Sequence, residues 1–135
     1  MSMRRIAHIG IAVNNLDEAL RLYHAAMGLP LHGRERVEQD RVEVAFLPVG
    51  DTEVELLEPT HPDSPVARFL EKRGEGIHHI AFEVEDIEQA MKAMRDQGFR
   101  LIDEQPRPGA GGVRVAFLHP KSTGGVLIEL CEHPK

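Results

Sequence analysis

The sequence predicts an α+β protein made of two tandem βαβββ modules, and two observations carry that prediction. The first is an internal repeat. His8-Ile9-Gly10-Ile11-Ala12-Val13 aligns with His79-Ile80-Ala81-Phe82-Glu83-Val84, and Leu16-Asp17-Glu18-Ala19-Leu20 aligns with Ile87-Glu88-Gln89-Ala90-Met91, both at an offset of 71 residues. Val42-Glu43-Val44-Ala45-Phe46-Leu47 matches Val113-Arg114-Val115-Ala116-Phe117-Leu118, and Glu55-Leu56-Leu57-Glu58 matches Glu129-Leu130-Cys131-Glu132 more loosely. Blocks that recur in one order mark a duplicated module. The second observation is that each copy runs from a short β-type segment into a helical one and then into three strand-like segments.

Each element has a local reason. Residues 6–13 and 77–84 are apolar, rich in β-branched side chains and of strand length. Asn15 with the early carboxylates Asp17 and Glu18 opens the first helix, Leu16, Leu20 and Tyr23 keep its spacing, and Gly28 ends it. Asp86 and Gly98 bracket the second helix in the same way. Strands are expected at 30–38, 41–48 and 53–58, and again at 100–105, 113–119 and 126–132, separated by Gly-rich or Pro-rich punctuation. The stretch 60–76, with a helix at 64–72, reads as a connector. A four-stranded module of this size does not readily bury its sheet alone. The two are therefore expected to pair into a curved mixed sheet with helices outside and a shared metal-binding concavity. The expected organisation is one domain over 1–135, with repeat one at about 4–59, the connector at about 60–76 and repeat two at about 77–134.

Composition narrows the function. With 41% hydrophobic and 28% charged residues the chain is that of a soluble globular protein, and no apolar run reaches the roughly 20 residues of a membrane-spanning helix. Met1-Ser2-Met3-Arg4-Arg5 leads straight into a strand-like run, so neither export nor organelle import is expected, and a cytoplasmic location is. A net charge of −6 speaks against nucleic acid as a partner. The single cysteine, Cys131, makes no intramolecular disulfide and reads as a small buried hydrophobe.

The repeat singles out four polar residues. His8 pairs with His79, and Glu55 with Glu129, each inside an otherwise apolar run. Taken one at a time, the simpler reading is a satisfied core histidine or a glutamate on the solvent side of an alternating strand. Four at equivalent places call for a common cause, because each would be costly to bury without a partner. Two imidazoles and two carboxylates around a divalent cation supply one, and mixed N/O ligation suits Co, Ni, Zn, Fe or Mn better than Ca. His24, His32, His61, His78 and His133 read as surface or rim residues, and His119 as a residue bordering the concavity.

Beyond these residues, the chain resembles the methylmalonyl-CoA epimerase family of the vicinal-oxygen-chelate (glyoxalase/bleomycin-resistance) superfamily over nearly its full length. The resemblance is carried by Asp63-Ser64-Pro65-Val66-Ala67-Arg68-Phe69-Leu70, Gly74-Glu75-Gly76-Ile77-His78-His79-Ile80-Ala81 and Phe117-Leu118-His119-Pro120-Lys121-Ser122-Thr123-Gly124-Gly125. It implies His8, Glu55, His79 and Glu129 as metal ligands, Co²⁺ as the metal, an acyl-CoA substrate and a homodimer. Some family members carry Gln in place of Glu55. Some carry a catalytic Glu in the region of 42–46, which makes Glu43 a candidate unless strand alternation turns it away.

The implied reaction is proton transfer at C2 of methylmalonyl-CoA through an enolate, with Glu129 first as acid/base and Glu55 or Glu43 second. Lys121, Arg114 and Arg107 are the cations considered for CoA phosphates, with solvated surface charge as the simpler reading. Two alternatives share the fold: a glyoxalase I-type lactoylglutathione lyase, and a small-molecule binding or resistance protein. An aromatic-poor chain, without Trp and with one Tyr and five Phe, counts against the binder.

Overall fold

The structure, a computed structural model, describes residues 2–135; Met1, at the head of the N-terminal segment considered above, lies outside the described residues. The chain divides into two compact units, one formed by His8–His78 and the other by the segment up to Ala7 together with His79–Lys135.

In the first unit β1 (Arg5–Ala12, from His8 onward) is followed by α1 (Leu16–Leu20), which continues as a π-helical stretch over Arg21–Ala26, and by β2 (Arg34–Val37), β3 (Val42–Val49) and β4 (Thr52–Pro59). These strands lie in the order β2-β3-β4-β1, with β3 antiparallel to both β2 and β4, and β4 parallel to β1. The helix starts where the Asn15 side chain accepts from Glu18 N at 2.9 Å, and its extension stops at Gly28, whose φ of 81° is a left-handed conformation that suits glycine. One face of the sheet is covered by this helix. Ile11, Ala45, Leu47, Val54 and Leu56 pack there against Leu16, Ala19, Leu20 and Tyr23. The connector forms α2 (Pro65–Arg73), capped by the buried Ser64, which accepts from Val66 N at 3.2 Å.

The second unit repeats the plan. β5 (Gly76–Glu83) is followed by α3 (Ile87–Asp96), whose N-cap Asp86 accepts from Gln89 N, then by β6 (Arg107–Pro108), β7 (Arg114–Leu118) and β8 (Ile128–Glu132), in the order β5-β8-β7-β6. The helix-side core contains Val84, Ile87, Ala90, Met91, Ala116 and Leu130, and the opposite face buries Ala7, Ala81, Val113, Val115 and Cys131. Cys131 is fully buried, as its apolar surroundings suggest.

One element departs from expectation. Residues 100–105 make a single bridge, Leu101 to Leu118, and the strand proper is the later β6. The Asp103 carboxylate explains why: its Oδ2 accepts from Phe117 N at 2.8 Å, where a ladder carbonyl would otherwise accept. Among the described residues no helix is long and apolar enough to cross a membrane.

Candidate metal and proton-transfer site

In the first unit the parallel pairing of β1 with β4 sets Gly10 opposite Glu55. His8, two residues before Gly10, lies on the same face as Glu55. Its Nδ1 stands 3.2 Å from Glu55 Oε2, and the two residues are 6% and 5% exposed. The second unit builds the same pair. Ala81, the repeat partner of Gly10, is opposite Glu129, and His79 Nε2 stands 3.3 Å from Glu129 Oε1, both residues 5% exposed. The ring nitrogens that meet the carboxylates differ, but the register does not.

Phe46 faces Glu55 and Phe117 faces Glu129, so each glutamate is fixed by both of its neighbouring strands. The histidines are offset by 71 residues and the glutamates by 74, because the connection between β7 and β8 is longer than the turn between β3 and β4.

The carboxylates that close each block play a different part. Glu58 Oε1 accepts from Leu16 N at 2.5 Å, and Glu132 Oε1 accepts from Ile87 N at 3.0 Å. Both are strand-borne caps for the N-terminus of the helix earlier in the same half, where exposed N–H groups favour negative charge. The paired recurrence of Glu-x-x-Glu in the sequence was the signal for them, since the two glutamates of each block point to opposite faces.

Glu43 lies opposite Glu58 in the β3–β4 ladder and so on the helix-covered face, away from the face that carries Glu55. There it meets Arg34 at 2.7 Å and Arg36 at 3.8 Å, while Arg34 also reaches Asp17 at 2.7 Å. Alternation thus gives Val44 and Phe46 to the face shared by His8 and Glu55.

The remaining histidines are engaged elsewhere. His78 stacks edge-on against Phe69 at 5.1 Å, and burial pushes its pKa down to about 4. His119 caps a short turn by accepting from Lys121 N, and His133 meets Glu83 at 2.8 Å. Arg114 bridges Glu88 at 2.9 Å and Glu132 at 3.1 Å, so the carboxylates gathered with Asp86 at the start of α3 have a guanidinium as their counter-charge. Arg107 is half-buried over Phe117 and bonded to Asp103.

A buried carboxylate beside a buried imidazole, built twice at one register on a βαβββ scaffold, offers the N/O donor types that divalent transition metals take. The chain belongs to the Glyoxalase/Bleomycin resistance protein/Dioxygenase superfamily, which it matches over residues 7–117. Within it, the chain is 40% identical over 128 residues to the ethylmalonyl-CoA/methylmalonyl-CoA epimerase of Cereibacter sphaeroides, covering 93% of this chain and 96% of that protein. A variant of the methylmalonyl-CoA epimerase of Streptomyces coelicolor, solved in complex with 2-nitronate-propionyl-CoA, is similar at a TM-score of 0.94 and 41% identity, covering 99% of this chain and all of that one. A probable lactoylglutathione lyase of Vibrio cholerae is less similar, 30% identical over 135 residues, covering 98% of this chain and 94% of that protein.

Proposed function

We propose that this protein is a methylmalonyl-CoA epimerase, an isomerase that interconverts the R and S epimers of methylmalonyl-CoA by metal-assisted proton transfer at C2. The observation that carries the reading is the similarity, at about equal length and 40–41% identity, to two epimerases of this substrate, against 30% to the lyase. The lyase and binding-protein alternatives are correspondingly disfavoured.

The donor set suits a divalent cation, because each half offers one buried imidazole nitrogen within 3.3 Å of one buried carboxylate oxygen, the mixed N/O ligand types that first-row transition metals take. We assign His8, Glu55, His79 and Glu129 as its ligands and Co²⁺ as the metal, with Ni²⁺, Zn²⁺ and Mn²⁺ as the other ions this set accepts. When bound, the metal supplies Lewis-acid stabilisation of the negative charge that develops beside the thioester.

The protein's own groups do the rest. Inversion at C2 requires a proton removed from one side of the carbon and a proton returned to the other. Glu129 is assigned to one transfer and Glu55 to the other. His79 and His8, each within 3.3 Å of its carboxylate, orient these groups. Burial keeps water from competing for the proton. Glu43 remains the third carboxylate to test, and its position on the helix-covered face favours a structural part through Arg34 and Arg36.

A cytoplasmic homodimer that binds acyl-CoA, and neither nucleic acid nor membrane, completes the proposal. The deciding experiment compares methylmalonyl-CoA with the glutathione hemithioacetal as substrate. Epimerisation of the former, with solvent deuterium appearing at C2 in D₂O, is the expected result; turnover of the hemithioacetal alone overturns the reading.

A further inference from the structure

The two halves hold the phenylalanine that faces their glutamate in different ways. In the first, Phe46 N donates to the Gly33 carbonyl at 3.1 Å and His32 N donates to the Phe46 carbonyl at 2.9 Å. In the second, Ile102 N donates to the Phe117 carbonyl at 2.8 Å, but Phe117 N donates to a side chain, Asp103 Oδ2, at 2.8 Å. Asp103 thus stands where the first half has Gly33, and a carboxylate replaces a main-chain carbonyl as the acceptor. The exchange adds a second bond. Asp103 Oδ1 accepts from Arg107 Nε at 3.0 Å, which a glycine has no side chain to do, and the Arg107 guanidinium carbon stands over the Phe117 ring, 5.4 Å from its centroid. One carboxylate, its side chain 14% exposed, therefore fixes both the strand that carries the ring and the cation that covers it.

The same ring meets an assigned metal ligand. The Phe117 and His79 rings pack edge to face, with centroids 5.6 Å apart and planes at 83°. His79 Nε2 lies 3.3 Å from Glu129 Oε1. The last torsion of a histidine is broad and two-fold, so the backbone alone does not choose the plane of the ring, and a half-turn exchanges its nitrogens with carbons. Neighbours choose it. An edge-to-face contact favours one plane, because the positive edge of one ring seeks the negative face of the other, and a ring that is itself pinned passes that preference on. Groups behind a metal-binding histidine set its orientation and so the affinity for the metal.

Resting on the reading of His79 as a metal ligand, we propose that Asp103 is a positioning residue of the His79–Glu129 half, which holds the His79 imidazole in its plane toward Glu129 through Arg107 and the Phe117 ring.

The test reads the ring directly and then the metal. In carbon–proton NMR spectra of the metal-free protein at fixed pH, the His79 Hε1 signal is the one missing from His79→Ala, and the neighbouring Phe117 ring displaces it from the position of a free imidazole. Asp103→Asn keeps an acceptor for Phe117 N but loses the charge that holds Arg107, and should move that signal toward the free position; Arg107→Gln should do the same. Co²⁺ affinity in these two variants should fall by roughly tenfold, the lower end of what loss of a group behind a metal ligand costs. Glu132→Gln, which removes a helix cap from the same unit, is the control for lost stability and should alter neither readout. An Asp103→Asn protein that melts lower yet keeps the natural signal position and the natural Co²⁺ affinity would overturn the proposal, since Asp103 would then serve the fold alone. If Asp103→Asn does not fold, Arg107→Gln, which leaves the acceptor of Phe117 N in place, decides by the same criteria. Should the natural chain bind no Co²⁺, the metal reading falls, and the signal positions alone decide whether Asp103 orients the ring.

Discussion

A glutamate that is 5% exposed beside an imidazole either holds charge or moves protons, and substitution separates the two. Glu129→Gln should keep part of the bound metal but lose epimerisation by about a hundredfold or more, as expected when a general acid/base is removed; a steady-state assay with elemental analysis of the same sample checks this. Glu55→Gln retains a donor oxygen, so metal should stay bound. Full activity in that variant would make Glu55 a ligand alone and move attention to Glu43→Gln. With its carboxylate held by Arg34 on the other face, Glu43→Gln should turn over within about threefold of the natural chain.

The His/Glu pairs were legible in the sequence because each residue interrupts an apolar run at a repeated place. The partnership of Asp103, Phe117 and Arg107 was not. Asp103 and Phe117 are 14 residues apart in sequence, and their bond joins a side chain to a backbone N–H, which leaves no pattern in the spacing.

At the scale of elements, periodicity and capping residues located the helices well. Asn15, Ser64 and Asp86 all accept from backbone N–H groups in the first turn of their helices, as their types lead one to expect. Strand ends were less legible, since pairing partners decide them: the expected strand at 100–105 gives way once Asp103 takes the Phe117 amide. The helix starts also receive help from across the sheet, through Glu58 and Glu132. Glu132→Gln removes a charged acceptor from Ile87 N and a partner from Arg114, and should cost about 1–2 kcal/mol. Thermal unfolding should show this as a fall of a few degrees in Tm, with metal content unchanged. A matching loss in Glu58→Gln would establish that the caps act alike in both halves.

For the whole molecule, bound metal and stability are linked, because an ion held by the folded chain and not by the unfolded one raises Tm with its concentration. Chelation should therefore lower the Tm of the natural protein. In His8→Ala or His79→Ala, the same chelator should produce little further change, and elemental analysis should find well under one metal per chain. Equal chelator sensitivity in those variants would remove the two histidines from the site.

The unequal connections between the last two strands of each half have a further consequence. β3 and β4 are joined by a tight turn at Gly50 and Asp51, β7 and β8 by a longer run through Pro120 and Gly125, yet the phenylalanine facing each glutamate is the same in both. The hairpin's tip and its grip on the glutamate are thus mechanically separate: length can be added at one end without sliding the other. Grafting the longer connection onto the first hairpin should cost only about 1 kcal/mol of loop entropy and leave Glu55 opposite Phe46, with metal binding intact. For anyone wishing to hang a reporter or a tether on this enzyme, the Gly50–Asp51 turn is the place where the chain has already shown, in its other half, that it accepts extra slack.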